Sequence, residues 1–240
     1  MKYLRAIAAA GFLLVSTNSS AVSDYADFSR DLAAPYGQYR LSLALTGNKD
    51  NVDKALVAMD RFIAGWEGLA RRYAADPPAP FAGIADFPEK MNRPIAIGRE
   101  AISLLKDGEV ARAHLVLEEV RYLLWGMRIQ ARINSIADKA NDFHEAMEVV
   151  FDRAAAAKNA GELAAVRHRY GAWLSIKWEE QALAGDLEPI RTEFEAALAE
   201  GRMAIAAYLE ALRGGDADAA RKLAGGVKNA YKKIWGLDPK

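Results

Sequence analysis

Cysteine is absent from the chain. That excludes disulfides, thiolate metal sites, c-type haem attachment and a lipidated N-terminal cysteine. Histidine is nearly absent, with three in 240 residues. Any imidazole chemistry must therefore use His114, His144 or His168. There is no Gly-rich phosphate loop, no nucleophile elbow and no HExxH motif, which removes the usual signatures of kinases, dehydrogenases and hydrolases. Alternating apolar and polar residues never run long enough to suggest a sheet. Lys and Arg number 32 against 32 Asp and Glu, so no basic excess points to nucleic acid or to an anionic membrane surface.

What is present begins with an export signal. Lys2 and Arg5 precede an apolar run from Ala6 to Val15, broken only by Gly11. The polar stretch Ser16–Ser20 and small residues follow, with cleavage expected after Ala21 or Ser23. The run is too short to span a bilayer. Residues 1–23 are thus expected to be a secretory signal peptide, and a Cys-free exported chain fits a bacterial periplasm, with no membrane span in the mature chain. Removal of Lys2 and Arg5 leaves 30 basic residues against 32 acidic ones, a mature charge of −2.

The remainder reads as helix throughout. Apolar stripes at helical spacing include Leu56, Met59, Ile63, Trp66 and Leu69, then Ala113, Leu117, Val120, Leu124 and Met127, then Phe143, Met147, Val150 and Ala154. Turn signals separate them, among them Gly47-Asn48, Asp76-Pro77-Pro78-Ala79-Pro80, Asp107-Gly108, Asn159-Ala160-Gly161, Gly185-Asp186 and Gly214-Gly215. The pattern predicts helices over 27–46, 51–74, 87–106, 109–131, 137–158, 161–182, 187–213 and 216–235.

These helices repeat at a constant offset of 107 residues without a gap. Tyr36 falls on Phe143, Leu56 on Leu163, Trp66 on Trp173, Phe87 on Phe194, Leu105 on Leu212, Gly108 on Gly215 and Val120 on Val227. The turn Lys106-Asp107-Gly108-Glu109 falls on Arg213-Gly214-Gly215-Asp216. The expected fold is all-α, two tandem up-down four-helix units over 24–134 and 135–240. They form either separate bundles or one eight-helix body. Trp66 and Trp173 are expected as equivalent buried anchors.

One constellation suggests chemistry. His114 and Glu118 stand four residues apart, as do His144 and Glu148. Each pair puts an imidazole and a carboxylate on one helical stripe, about 6 Å apart along the axis. With the connecting turn centred near Arg132, Glu118 comes level with His144 and His114 with Glu148. Two imidazoles and two carboxylates suit a divalent transition metal such as iron, zinc or copper. An i,i+4 His/Glu pair is also an ordinary helix-surface interaction. Arg121 and Arg128 stand within reach of Glu118 and neighbouring acids. Asp138 and Asn141 extend the same stretch, more readily as helix-start residues than as ligands. Met147 beside His144 makes a b-type haem a weaker alternative, since a core Met is more often packing. His168, in the run His168-Arg169-Tyr170, reads as a solvated edge.

The run Leu123-Leu124-Trp125-Gly126 resembles the imelysin-like family of exported, iron-associated bacterial proteins, in which a His-x-x-Glu precedes such a stretch. The positions of that His and Glu hold Glu118 and Arg121 here, so the resemblance transfers no site residue. It implies an exported helical protein of metal traffic built from duplicated bundles. The sequence therefore leads to a non-catalytic periplasmic metal-binding protein, an accessory in metal uptake or storage with a membrane permease or another periplasmic protein as partner. The alternative is a metal-free helical scaffold or adaptor that binds a protein partner.

Overall fold

The computed structural model describes residues 17–47 and 49–237, with side chains from Tyr25 onward apart from Lys49. Most of the expected signal segment lies outside these residues; Thr17 to Ser23 open the first helix. Eight α-helices are described: α1 Thr17–Thr46, α2 Val52–Tyr73, α3 Phe87–Lys106, α4 Val110–Gln130, α5 Ile136–Ala155, α6 Ala160–Glu179, α7 Arg191–Gly214 and α8 Ala217–Gly236. No strand occurs among the described residues, and no helix among them is long and apolar enough to cross a membrane.

The boundaries have local causes. Ser135, Asn159 and Asp216 cap α5, α6 and α8 by accepting from the backbone N–H three residues on, at 3.2, 3.0 and 2.9 Å. Pro189 sits in a short 3-10 turn, Glu188–Ile190, that delays α7 to Arg191. A 3-10 turn over Glu180–Leu183 ends the sixth helix earlier than the apolar pattern suggests.

The chain divides into two compact units, Met1–His114 and Leu115–Lys240. The division falls inside α4, whereas the repeat offset puts it after residue 134. Within the first unit, α1 packs on α2 and α2 on α3. An aromatic chain runs through it, from Tyr36 to Tyr39, Phe62 and Trp66, at centroid spacings of 5.3, 5.7 and 5.5 Å. The Pro-rich loop returns Phe81 into the core, 5.4 Å from both Phe28 and Phe87. In the second unit α5 to α8 are successive neighbours, and α5 also meets α8, which closes a four-helix ring. Its core gathers Phe143, Met147, Leu174, Trp178, Phe194, Leu198, Tyr208, Leu212, Val227 and Ile234.

The offset of 107 is visible in three of the four helix pairs. Phe87, Met91, Ala101 and Leu105 on α3 are buried, and so are Phe194, Leu198, Tyr208 and Leu212 on α7. Tyr36, Tyr39 and Leu43 on α1 have buried counterparts in Phe143, Ala146 and Val150 on α5. Ala113, Val120, Leu124 and Met127 on α4 correspond to Ala220, Val227, Tyr231 and Ile234 on α8, all buried. The intervening turn repeats bond for bond. Gly108 (φ 77°) and Gly215 (φ 70°) are both left-handed, and Glu109 N and Asp216 N donate to Leu104 O and Ala211 O at 2.8 and 3.1 Å.

The second helix of each copy breaks the rule. Trp173 is 37% exposed and is not the counterpart of the fully buried Trp66. That role belongs to Trp178. Trp66 Nε1 donates to Met91 O at 2.9 Å, and Trp178 Nε1 donates to Leu198 O at 3.0 Å. The accepting residues are 107 apart, but donor and acceptor are separated by 25 residues in the first copy and 20 in the second. The second copy thus has five more residues before its core tryptophan and five fewer after it, which is where most of the proline loop is lost. With that shift Met59, Phe62, Trp66 and Leu69 correspond to Gly171, Leu174, Trp178 and Gln181, all buried. Five residues turn a helix by about 140°, so the gapless match brings the wrong face of α6 inward.

Candidate functional site on α4 and α5

Helix α4 buries Ala113, Leu117, Val120, Leu124 and Met127 and sets His114, Glu118, Arg121 and Trp125 beside that stripe. The link to α5 is short. Arg132 takes a left-handed conformation (φ 57°), and Ile133 N donates to Arg128 O at 2.9 Å. Ser135 then caps α5. This turn determines which residues face one another. Arg128 meets Asp138, Arg121 meets His144, and Tyr122 meets Glu145. The pairs centre on Ile133 rather than Arg132. A centre one residue later shifts each pairing by two, so Arg121 rather than Glu118 comes level with His144.

Arg121 is 2% exposed and occupies the middle of the seam. Its Nη2 lies 3.0 Å from His144 Nδ1, 3.2 Å from the Tyr122 hydroxyl, 3.4 Å from Glu118 Oε1 and 4.0 Å from Glu145 Oε1. A guanidinium only donates, so His144 Nδ1 accepts and its proton sits on Nε2. That edge points to Glu148 Oε1 at 3.7 Å. Glu148 is also 3.3 Å from Lys228 Nζ on α8, and the His144 ring lies 5.0 Å from the Tyr231 ring. Burial, reinforced by hydrogen bonding to Glu145, pushes the Tyr122 phenol above its ordinary pKa.

Two turns away, Arg128 holds Asp138 through Nε and Nη2 at 2.8 and 2.7 Å, both side chains nearly buried. Asp186 lies in the same region and accepts from Ile136 N at 2.9 Å. Burial raises its carboxyl pKa, and burial raises that of Asp142 on α5 as well. Asn141 sits between the two arginine pairs, buried, with both amide atoms lacking a hydrogen-bond partner among the described residues. Met147 belongs to the hydrophobic core and His168 is exposed.

His114 lies in the first unit. Thr46 closes α1 and its hydroxyl donates to Leu43 O at 2.9 Å. With that proton committed, the 3.0 Å contact to His114 Nδ1 has the imidazole as donor, and the lone pair resides on Nε2. The structure therefore brings Glu118, His144 and Glu148 around Arg121 and its neighbours, and sets His114 against Thr46. Among the described residues no group of three or more His, Asp or Glu side chains is arranged to hold a metal ion. The residue whose part the sequence understates is Arg121. The seven-residue spacing of Arg121 and Arg128 on one helix face is the signal that two buried cations line the seam. No family model matches the chain, and neither a curated protein nor a solved structure matches it.

Proposed function

We propose that this chain is a non-catalytic helical adaptor that binds an amphipathic helix of a partner protein through the outer face of α4. The observation that carries this reading is an apolar stripe left in water. Leu115 and Ile129 have 63% and 56% of their surface exposed, and Tyr122, seven residues from each, has 37% exposed while its hydroxyl donates to Glu145 in the seam. A seven-residue repeat keeps one face toward a partner helix over several turns, which a scatter of single exposed apolar residues would not do. On this reading the arginine seam beneath is structural. It locks α4 to α5 so that the outer stripe is presented by a rigid element. Photocrosslinking residues placed at 115, 122 and 129 should each give one discrete adduct in the native cell. A residue placed at Met203 on α7, which is more exposed than any of the three, should give none. Equal adduct patterns from both faces would rule the reading out.

A second reading is divalent metal binding through His114, Glu118, His144 and Glu148, in an exported protein serving a permease. One observation favours it. Thr46 holds the Nδ1 edge of His114 and leaves the lone pair on Nε2, the arrangement by which outer partners orient a ligating imidazole. The likeness of Leu123–Gly126 to the imelysin-like family also supports it. The Arg121 guanidinium opposes it, since it uses the His144 Nδ1 lone pair and adds a positive charge where a cation would sit. Elemental analysis of protein purified from its native compartment, with His114→Ala/His144→Ala beside it, separates the two readings. Stoichiometric metal that disappears in the double variant would favour the second over the first.

A further inference from the structure

This fold seats large apolar side chains over helix glycines. Gly98 on α3 lies against Ile63 of α2, and Gly201 on α7 against Trp178 of α6; a Cβ on these glycines would fall 2.8 and 1.8 Å from those side chains. Gly171 on α6 and Leu209 on α7 repeat the arrangement at 3.3 Å. A glycine weakens its own helix relative to alanine, and in each case a neighbouring helix uses the space of the missing methyl. Gly126 lies inside α4, and a Cβ there would meet nothing within 4 Å among the described residues. Gly37, Gly214, Gly225 and Gly236 have the same open direction. Each of those four has a charged residue three or four positions away, Arg40, Glu210, Lys222 and Lys232, as a solvated face would. Around Gly126 the corresponding positions are Tyr122, Leu123, Ile129 and Gln130, none of them charged.

Tyr122, Trp125, Gly126 and Ile129 stand at i, i+3, i+4 and i+7, the four corners of the hole that receives one side chain of a packed helix. The Tyr122 and Trp125 rings, 6.3 Å apart and tilted by 47°, wall it on one side, and the half-exposed Ile129 closes one end. The Tyr122 wall is fixed from below. Its hydroxyl donates to Glu145 Oε1 at 2.5 Å, and the Arg121 guanidinium lies 5.0 Å from its ring centre. The hole is therefore formed in advance, and little side-chain ordering is left to oppose binding. Beside it Glu119 is exposed and the Glu145 side chain is 45% exposed. A carboxylate accepts several hydrogen bonds at once, so both can receive a basic side chain in addition to the contacts they already make.

We infer that this hole seats one large apolar anchor, such as Phe, carried by a basic amphipathic helix of the partner. The inference rests on the adaptor reading above and specifies what the partner helix carries. NMR titration of the full chain tests it. The probe is a helix-stapled peptide of about three heptads, with Leu at a and d, Lys at e and g, and Phe at the central a position. The comparator has Ala at that position. The Phe peptide should give saturable amide shifts centred on Tyr122, Gly126 and Ile129 and bind about tenfold or more tighter than the Ala peptide. Gly126→Ala should raise the thermal midpoint, because the helix gains and nothing is displaced, yet weaken the Phe peptide about tenfold and remove its advantage over the Ala form. The inference is overturned if no saturable shift appears at those residues, if the two peptides bind equally, or if Gly126→Ala binds the Phe peptide as tightly as the original chain. The photocrosslink at position 115, outside the hole, separates this failure from that of the adaptor reading. A discrete adduct equally strong in Gly126→Ala overturns the anchor alone, whereas no adduct in the original chain removes the adaptor reading and the anchor with it.

Discussion

Gly201→Ala sets two opposing effects against each other, and the structure decides the sign. In the interior of a helix such as α7, replacing Gly by Ala ordinarily stabilises by about 1 kcal/mol through backbone entropy and propensity. At Gly201 the added Cβ would lie 1.8 Å from Trp178 Cζ2 and 2.4 Å from Cε2 and Cη2. Contacts that close cannot stand, so the indole or the helix must move. Trp178 is buried, packs edge-on against Phe143 at 4.8 Å and donates Nε1–H to Leu198 O. Overpacking of this kind costs about 1–3 kcal/mol. Losing the indole hydrogen bond costs about 1–3 kcal/mol more, because the freed groups are buried. The net expectation is a destabilisation of about 1–5 kcal/mol after the helix gain is subtracted. Gly226→Ala on α8 is the internal control, since its Cβ would meet only Ala204 Cβ at 3.9 Å. It should stabilise by up to about 1 kcal/mol. Urea unfolding followed by far-UV circular dichroism measures both. The double variant Gly201→Ala/Trp178→Leu should be less unstable than the sum of its single changes, because removing the indole makes room for the methyl. A Gly201→Ala chain at least as stable as the original would falsify the packing argument.

Three further outcomes are expected. Trp178→Ala should cost about 3–5 kcal/mol in the same unfolding assay, and Trp173→Ala, on the half-solvated side of α6, less than about 1 kcal/mol; equal costs would return Trp173 to the core. Gly108→Ala and Gly215→Ala both force a left-handed conformation on alanine, at about 1–2 kcal/mol. Gly215→Ala should cost distinctly more, because its Cβ would also lie 2.3 Å from Ala160 Cβ while nothing stands within 4 Å at Gly108; indistinguishable thermal midpoints would contradict this. Asp186→Asn should stabilise the chain at neutral pH. Burial raises the folded pKa of Asp186 above its unfolded value, so the native state holds the proton more tightly and stability falls as pH rises through that window. The advantage of the Asn variant should therefore shrink as pH drops below about 4, where the carboxyl is protonated in both states; an advantage constant with pH would show that charge is not its cause.

The candidate site shows where reading along the chain stops. His114, Glu118, His144 and Glu148 share faces of α4 and α5, which follows from spacing alone. Their partners do not. The choice between Glu118 and Arg121 opposite His144 depends on one residue in the turn, and that residue is Arg132 in a left-handed conformation that few non-glycine residues adopt. Nothing in its side chain announces this. The same limit explains the tryptophans. Trp66 and Trp173 match at the common offset, but Trp173 and Trp178 stand on opposite sides of one helix, and identity of residue type carries no information about which side faces inward.

The order and type of the eight helices, their turns at Gly108 and Gly215 and the duplication of three helix pairs were determined by the sequence itself. Each rests on interactions between residues a few positions apart, or on apolar periodicity repeated over many turns. Tertiary structure alone decided the five-residue slip of α6, the division within α4 and the placement of Arg121 between Glu118 and His144. Those depend on how side chains of distant helices fill a shared volume. A slip of a few residues keeps every local preference satisfied while turning a different face to the core, so only the packing of Trp178 against Leu198 and Gly201 selects the register.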